Sequence, residues 1–123
     1  MDDALELYTD GSGLDGRVGA GMVVLYHGQL VHSIEQRLPD TGTVFQAELV
    51  GIQMALDYCV SVRDGSLVHI YSDSRSALQS LADPRNTHEI ANEIKRSIES
   101  LSNDRKTILL HWIKAHVGYP GNE

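Results

Sequence analysis

The segment "ELYTDGSG", residues 6–13, joins an alternating strand pattern to a run of glycines, with an aspartate at the junction. Apolar and polar residues alternate over residues 4–9, as they do in a half-buried strand. Asp10 then has two interpretations, because an Asp-Gly pair is an ordinary turn signal and a carboxylate at the end of a rigid strand is also well placed for chemistry. We predict that the first strand ends at Asp10 and that a glycine turn follows it.

Outward from this segment, the patterns predict an α/β domain. Residues 18–26 and 29–37 are rich in β-forming residues and flank "HG", a two-residue turn signal, which predicts a hairpin. Residues 41–60 have helical periodicity, with Thr43 and Gln46 spaced as a capping box. A short strand over residues 66–73, helices over 74–82 and 88–101, and a last strand over 106–114 follow. The order β-β-β-α-β-α-α-β places helices against a mixed sheet.

Composition indicates one domain of 123 residues with 41% hydrophobic content and a formal net charge of −7. Residues 1–64 carry ten acidic and three basic side chains, whereas residues 65–123 carry seven of each. This balance argues against a protein that coats nucleic acid in general. No signal-peptide pattern or long apolar run is present, so we expect an intracellular protein without a membrane partner. The single cysteine, Cys59, is expected to be a small buried hydrophobe.

Two motifs resemble known ligand sites in their spacing but lack the neighbouring residues that those sites require. "GSGLDG", residues 11–16, has the spacing of a dinucleotide-binding loop, but that loop must open a helix and the residues after it are strand-like. His111 and His116 lie five residues apart with no further zinc ligand at a recognised spacing. We therefore expect neither a dinucleotide site nor a zinc site.

Three carboxylates occupy positions that favour a common site. Asp10 and Asp73 each follow a strand, and adjacent strand ends form the crevice in which α/β sites usually lie. Glu48 is in line with Val44 and Ile52 on its helix, a costly position for a charge without a partner. Asp73 as a helix N-cap and Glu48 with its head in water remain alternatives. Together the three predict a cluster that binds a hard divalent cation, Mg²⁺ or Mn²⁺.

Four motifs in this order resemble those of the ribonuclease H family: "YTDGSG", "FQAELVGIQMAL", "IYSDSRSAL" and "WIKAHVGYPGNE". The residues of "FQAEL" and "DSRSAL" look most like those of ribonuclease H domains appended to reverse transcriptases of non-LTR retrotransposons. The resemblance implies a five-stranded mixed sheet in the order 3-2-1-4-5, with helices on both faces. It also implies two Mg²⁺ ions, which Mn²⁺ can replace, and hydrolysis of the RNA strand of an RNA–DNA hybrid.

Position by position, Asp10, Glu48 and Asp73 match the metal-binding carboxylates of that family, and the resemblance implies that Asp10 bridges both ions. His116 matches the loop histidine that is linked to proton handling and product release. Backbone amides in the glycine stretch are expected to read RNA 2′-hydroxyls. The expected substrate-binding residues are Gly11, Ser12, Gly13, Thr43, Gln46 and Asn122.

The chain departs from the family pattern at its end and at one substrate position. The fourth carboxylate of the family falls shortly beyond Glu123, so we expect residues 1–123 to be a ribonuclease H domain truncated before its final helix. Val44 stands where some members have a substrate-contacting asparagine. With few basic residues near the motifs, grip on the hybrid is expected to come mainly from a tethered reverse transcriptase domain.

Two other functions stay open. A catalytically inactive module that positions nucleic acid or a neighbouring domain is compatible with a missing fourth carboxylate. A transposase or integrase of the same superfold fits less well, because "DGSG" and "KAHVGYPGNE" resemble ribonuclease H specifically.

Overall fold

The structure, a computed structural model, describes residues 4–14, 17–39 and 42–114. Its elements follow the predicted order of strands and helices. The strands are β1 (Leu5–Leu14), β2 (Arg17–Tyr26), β3 (Gln29–Leu38), β4 (Leu67–Ser72) and β5 (Thr107–Trp112), and the helices are α1 (Val44–Cys59), α2 (Arg75–Ala82) and α3 (Glu89–Asn103).

The five strands form one mixed sheet in the order β3-β2-β1-β4-β5. β1 and β3 both run antiparallel to β2, whereas β4 runs parallel to β1 and to β5. The predicted mixed sheet and its strand order are therefore confirmed. The hairpin turn is confirmed too, because His27 and Gly28 both have positive φ, at 52° and 77°, as a two-residue hairpin loop requires.

The prediction that β1 ends at Asp10 is wrong. β1 continues through the glycines to Leu14 and pairs with β2 along its whole length, with Asp10 opposite Gly21. Its pairing with β4 stops earlier, at Thr9 opposite Ser72. The pairing of Gly11 with Ala20 and of Gly13 with Val18 on β2 keeps the glycines extended where their own preference favours a turn. Asp10 therefore lies within a strand, at the point where the sheet divides.

The core lies between the sheet and the helices. Leu7, Val68 and Ile70 of the strands and Leu49 and Ile94 of the helices are fully buried. α1 lies on β1 and β2, and α3 packs on both α1 and β5. Because α1, α2 and α3 contact one another, the three helices in the described part of the chain lie on one face of the sheet. The expected helices on both faces are therefore not found among the described residues, although the sheet and its order are as predicted. None of them is long and apolar enough to cross a membrane.

The opposite face carries stacked rings. Tyr8 alternates along β1 with the buried Leu7, so the tyrosine points away from the helices. Its ring stacks on Tyr71 at a centroid distance of 4.8 Å, and Tyr71 stacks on His111 at 4.9 Å. Nε2 of His111 is 2.8 Å from Nδ1 of His69, which makes the two imidazoles a hydrogen-bonded pair. These rings join β1, β4 and β5 on the face opposite α1, α2 and α3.

A local sequence signal accounts for the start of α1. The predicted capping box is present, since the Thr43 hydroxyl accepts from the Gln46 amide at 3.1 Å and the Gln46 side chain accepts from the Thr43 amide at 2.9 Å. Cys59, the last residue of the helix, is fully buried, and burial raises the pKa of its thiol to about 11. The interpretation of Cys59 as a buried hydrophobe is thus confirmed.

Gly11 is the point of closest approach between α1 and the sheet. A Cβ atom there would lie 2.6 Å from the backbone nitrogen of Glu48 and 2.8 Å from the carbonyl carbon of Ala47. Both atoms belong to the helix backbone, which cannot move aside alone. The absence of a side chain at Gly11 is therefore a condition for the position of α1 on β1.

We expect Gly11→Ala to lower the free energy of unfolding by about 1–3 kcal/mol, because the added methyl group overpacks the contact between α1 and β1. Urea denaturation measures the change. Gly21→Ala is the matched control, since the nearest atom to a Cβ there is the Ile34 carbonyl oxygen at 3.8 Å, an ordinary contact distance. Equal stability of the two variants would contradict the role of Gly11.

Candidate active site

Three carboxylates from separate elements converge where the sheet divides. Asp10 comes from β1, Glu48 from α1, and Asp73 from the residue after β4. One oxygen from each can be chosen so that all three lie within 4.8 Å of one another. The predicted cluster of Asp10, Glu48 and Asp73 is therefore present.

Asp10 is positioned by the last link between β1 and β4. Thr9, the preceding residue, is buried and donates its hydroxyl to the Tyr71 carbonyl oxygen at 3.2 Å. One residue later, β1 retains only β2 as a neighbour in the sheet. The Asp10 carboxylate is therefore attached to a strand that is paired with both β2 and β4 up to the preceding residue, Thr9.

Asp73 is positioned by two serines. The buried Ser72 hydroxyl accepts from the Ser74 amide at 3.1 Å, which fixes the backbone on either side of Asp73. The N-cap of α2 is Ser74, whose hydroxyl accepts from the Ala77 amide at 3.2 Å. The alternative role of Asp73 as this cap is thereby excluded, and its carboxylate is not used to begin the helix.

Glu48 is a buried acid, and one of its carboxylate oxygens lacks a hydrogen-bond partner among the described residues. The residue is 7% exposed, and its Oε2 has no hydrogen-bond partner among the described residues. The Gly11 amide donates to the same carboxylate. Burial, followed by the charges of Asp73 and Asp10, raises the Glu48 pKa from 4.5 to about 8. The alternative in which its head group lies in water is therefore excluded.

The donor set fits a hard divalent cation. Three carboxylates so close together repel one another when ionised, and a cation bound between them removes that repulsion. The orphaned Oε2 of Glu48 gains a partner in the same way. Oxygen-only ligands select ions such as Mg²⁺ or Mn²⁺ over softer metals.

The expected substrate-binding residues divide into three groups. The Gly11 amide donates a hydrogen bond to the Glu48 carboxylate, whereas Ser12 and Gly13 are exposed further along β1. Thr43 and Gln46 form the capping box of α1. Their roles toward substrate stay predictions. His116, predicted to be catalytic, and Asn122, predicted to bind substrate, lie outside the described residues.

A groove beside Asp10 has no counterpart in the sequence prediction. It has a volume of about 660 Å³ and lies on the face of the sheet opposite α1, α2 and α3. Tyr8, Asp10 and Ser12 line it from β1, and Gly19 and Gly21 line it from β2. Alternation along β1 is the signal that could have placed these three β1 residues on one face, but only the register with β2 brings the glycines opposite them.

Comparisons with known proteins agree with this geometry. The family model described as RNase H matches residues 2–123. A Pol polyprotein of Ovine maedi visna related virus (strain South Africa) is 28% identical over 116 residues, which are 94% of this chain and 10% of the polyprotein. The chain thus spans about a tenth of the length of this curated relative.

A solved structure supports the fold. The N-terminal RNase H domain of a Mycobacterium tuberculosis protein, determined as a fusion with maltose-binding protein, superimposes with a TM-score of 0.73. The alignment covers 98% of this chain and 86% of that chain at 19% identity. At this identity the likeness concerns the fold alone.

The raised pKa of Glu48 predicts a pH-dependent stability. The folded state holds the Glu48 proton more tightly than the unfolded state, so this contribution is complete below pH 4.5 and is lost as the pH rises to about 8. In EDTA, Glu48→Gln should therefore make the free energy of unfolding decline less between these pH values. Urea denaturation at a series of pH values measures both slopes.

Glu99→Gln is the matched control, because Glu99 is an exposed acid on α3, far along the sequence from the carboxylate cluster. The Glu99 variant should keep the decline of the unmodified chain. Parallel profiles for the Glu48 variant and the unmodified chain would show that Glu48 is not a buried acid in solution.

Proposed function

The chain belongs to the RNase H family, and from that premise we propose that it is a metal-dependent endoribonuclease that cleaves the RNA strand of RNA–DNA hybrids. The observation that carries the proposal is the convergence of Asp10, Glu48 and Asp73, with carboxylate oxygens within 4.8 Å of one another. A family relationship alone supports hybrid hydrolysis in general. The convergence supports the metal-dependent route, because this arrangement repels itself unless cations bind it.

Each carboxylate has a distinct part in this mechanism. Asp10, on the continuous strand β1, is the ligand we propose to be shared between two ions. Glu48 and Asp73 approach it from α1 and from the end of β4 and complete the set. When bound, two Mg²⁺ ions supply an activated water and stabilise the charge that develops on the leaving 3′-oxygen. The carboxylates therefore have to hold their positions, and a nucleophilic side chain is not needed.

RNA selectivity is proposed to come from β1 beyond the metal site. Ser12 and Gly13 are exposed two and three residues after Asp10, so their backbone is accessible beside a bound phosphate. A Cβ at Gly13 would lie 2.7 Å from the Cγ2 atom of Val44, which shows how closely this strand and the start of α1 approach. The 2′-hydroxyl is the group that separates RNA from DNA at such a surface.

The polyprotein relative suggests the setting in which this domain works. Because a Pol polyprotein matches 94% of the chain, we propose that the domain acts while tethered to a reverse transcriptase of a retroelement. A non-LTR retrotransposon is the host that the sequence motifs favour. Tethering raises the effective concentration of hybrid at a domain whose net charge of −7 opposes binding. The His116 imidazole is proposed to assist proton transfer and product release.

A cleavage assay tests the proposed reaction. With Mg²⁺ or Mn²⁺, the chain should cut the RNA strand of an end-labelled hybrid and leave a DNA duplex of the same sequence intact. Asp10→Asn should lower the cleavage rate by more than the roughly 10- to 100-fold typical of groups that only support a metal ligand. The same variant should remain folded and be slightly more stable in EDTA, because it removes one negative charge from the cluster.

Asp104→Asn is the control, since Asp104 is an exposed aspartate after α3 and should leave the rate unchanged. Equal cutting of hybrid and duplex DNA would favour the transposase alternative. A folded chain that binds hybrid but never cleaves it would favour the inactive module that positions nucleic acid.

A further inference from the structure

An arginine and a tryptophan form a cation–π pair on the surface next to the carboxylates. The Cζ atom of Arg75 lies 4.6 Å from the ring centroid of Trp112. Arg75 is exposed, and Trp112 is 46% exposed although it is a large apolar residue at the end of a strand. A guanidinium stacked on an indole is held in a fixed plane, with the N–H groups on its edge available to a ligand.

The β4–β5 register places this pair beside the metal site. Trp112 is the partner of Ser72, the residue immediately before Asp73, and the Ile113 amide donates to the Ser72 carbonyl oxygen at 3.0 Å. Arg75 is the first residue of α2 and follows Asp73 by two positions. The pair therefore lies on the β4–β5 side of Asp73, away from the groove that borders Asp10 on β1, β2 and β3.

The charge of Arg75 is not neutralised by the part of the chain that the structure describes. Its one recorded side-chain interaction there is with the Trp112 ring. Arg85, by contrast, pairs with Asp83 at 3.5 Å, and Lys106 lies 3.8 Å from Asp64. An exposed cation without a carboxylate partner favours an external anion.

The distribution of charge makes this location significant. All of the excess negative charge lies in residues 1–64, which include β1, β2, β3 and α1. The elements on the β4–β5 side come from residues 65–123, in which acidic and basic side chains balance. A phosphodiester strand that leaves the carboxylates is therefore repelled less on this side.

We propose that Arg75, held by Trp112, binds a backbone phosphate of the nucleic acid on the β4–β5 side of Asp73. The inference rests on the proposed function, since it concerns the strand that the same site cleaves. The guanidinium donates two parallel hydrogen bonds to the phosphate oxygens, as arginine does with planar or tetrahedral oxyanions. Trp112 is a positioning residue, because it fixes the plane of the guanidinium.

Binding of an RNA–DNA hybrid tests the surface separately from cleavage. The Asp10→Asn background keeps the hybrid intact, and fluorescence anisotropy of a labelled hybrid gives Kd at a series of NaCl concentrations. Arg75→Ala should raise Kd about fivefold or more at low salt and reduce the slope of log K against log salt by about one, the loss of one phosphate contact. Arg75→Lys should keep the slope, because the charge remains, and give an intermediate Kd.

Trp112→Phe and Trp112→Ala test the positioning role. The phenyl ring should keep most of the affinity, whereas alanine should raise Kd toward the value of Arg75→Ala. Arg85→Ala is the matched control, because it removes an exposed arginine beyond the far end of α2 and should change neither Kd nor slope. Circular dichroism confirms that each variant is folded.

The outcomes separate this inference from the proposed function. If the unmodified chain cleaves hybrid but Arg75→Ala keeps the salt slope and Kd of the Arg85 variant, the surface is wrong and the function stands. If Arg75→Ala in the otherwise unmodified chain changes the Mg²⁺ dependence of cleavage but not the affinity for hybrid, Arg75 acts on the carboxylates and the surface is again wrong. If the chain neither binds nor cleaves hybrid, both are wrong.

Discussion

The contact between the backbones of α1 and β1 at Gly11 is the constraint on which the site depends. Because Gly11 has no side chain, α1 comes close enough for the Gly11 amide to donate a hydrogen bond to the Glu48 carboxylate. Any larger residue would force the two elements apart, because a Cβ atom at Gly11 would lie only 2.6 Å from the backbone nitrogen of Glu48. Since Asp10 is the neighbour of Gly11 in the strand, the same contact sets the distance between the two acids. The contact at Gly11 therefore sets both the packing of α1 on β1 and the spacing between the carboxylates of Asp10 and Glu48.

Convergence of the carboxylates opposes folding, and the core of α1 offsets that cost. Ala47 and Leu49 flank Glu48 in the helix and are fully buried, as is Ile52 one turn later. A rotation of α1 that released Glu48 to water would expose these side chains, and full burial of a leucine or isoleucine contributes about 1.5–3 kcal/mol. The apolar stripe thus keeps Glu48 near Asp10 and Asp73 although its pKa rises to about 8 there.

Features that depend on short sequence spans could be predicted, and those that depend on register could not. The capping box of Thr43 and Gln46 and the strand end before Asp73 are encoded within a few residues. The position of Glu48 was also predictable, because a charge in line with apolar residues signals a buried site. The extension of β1 through Gly11 and Gly13 was not predictable, since it comes from pairing with β2 and opposes the local turn preference.

Electrostatics then link the carboxylate cluster to the surface around it. Three carboxylates in a chain with a net charge of −7 repel a phosphodiester, so the proposed reaction requires that binding of the hybrid be coupled to binding of cations. Cations on the carboxylates act mainly on phosphates that lie within about 10 Å of them, because salt screens charges beyond that distance. Phosphates further along the strand need protein cations of their own. Arg75 is adjacent to the carboxylates, and no acid in the described residues pairs with it, so it meets that need where the balanced half of the chain begins.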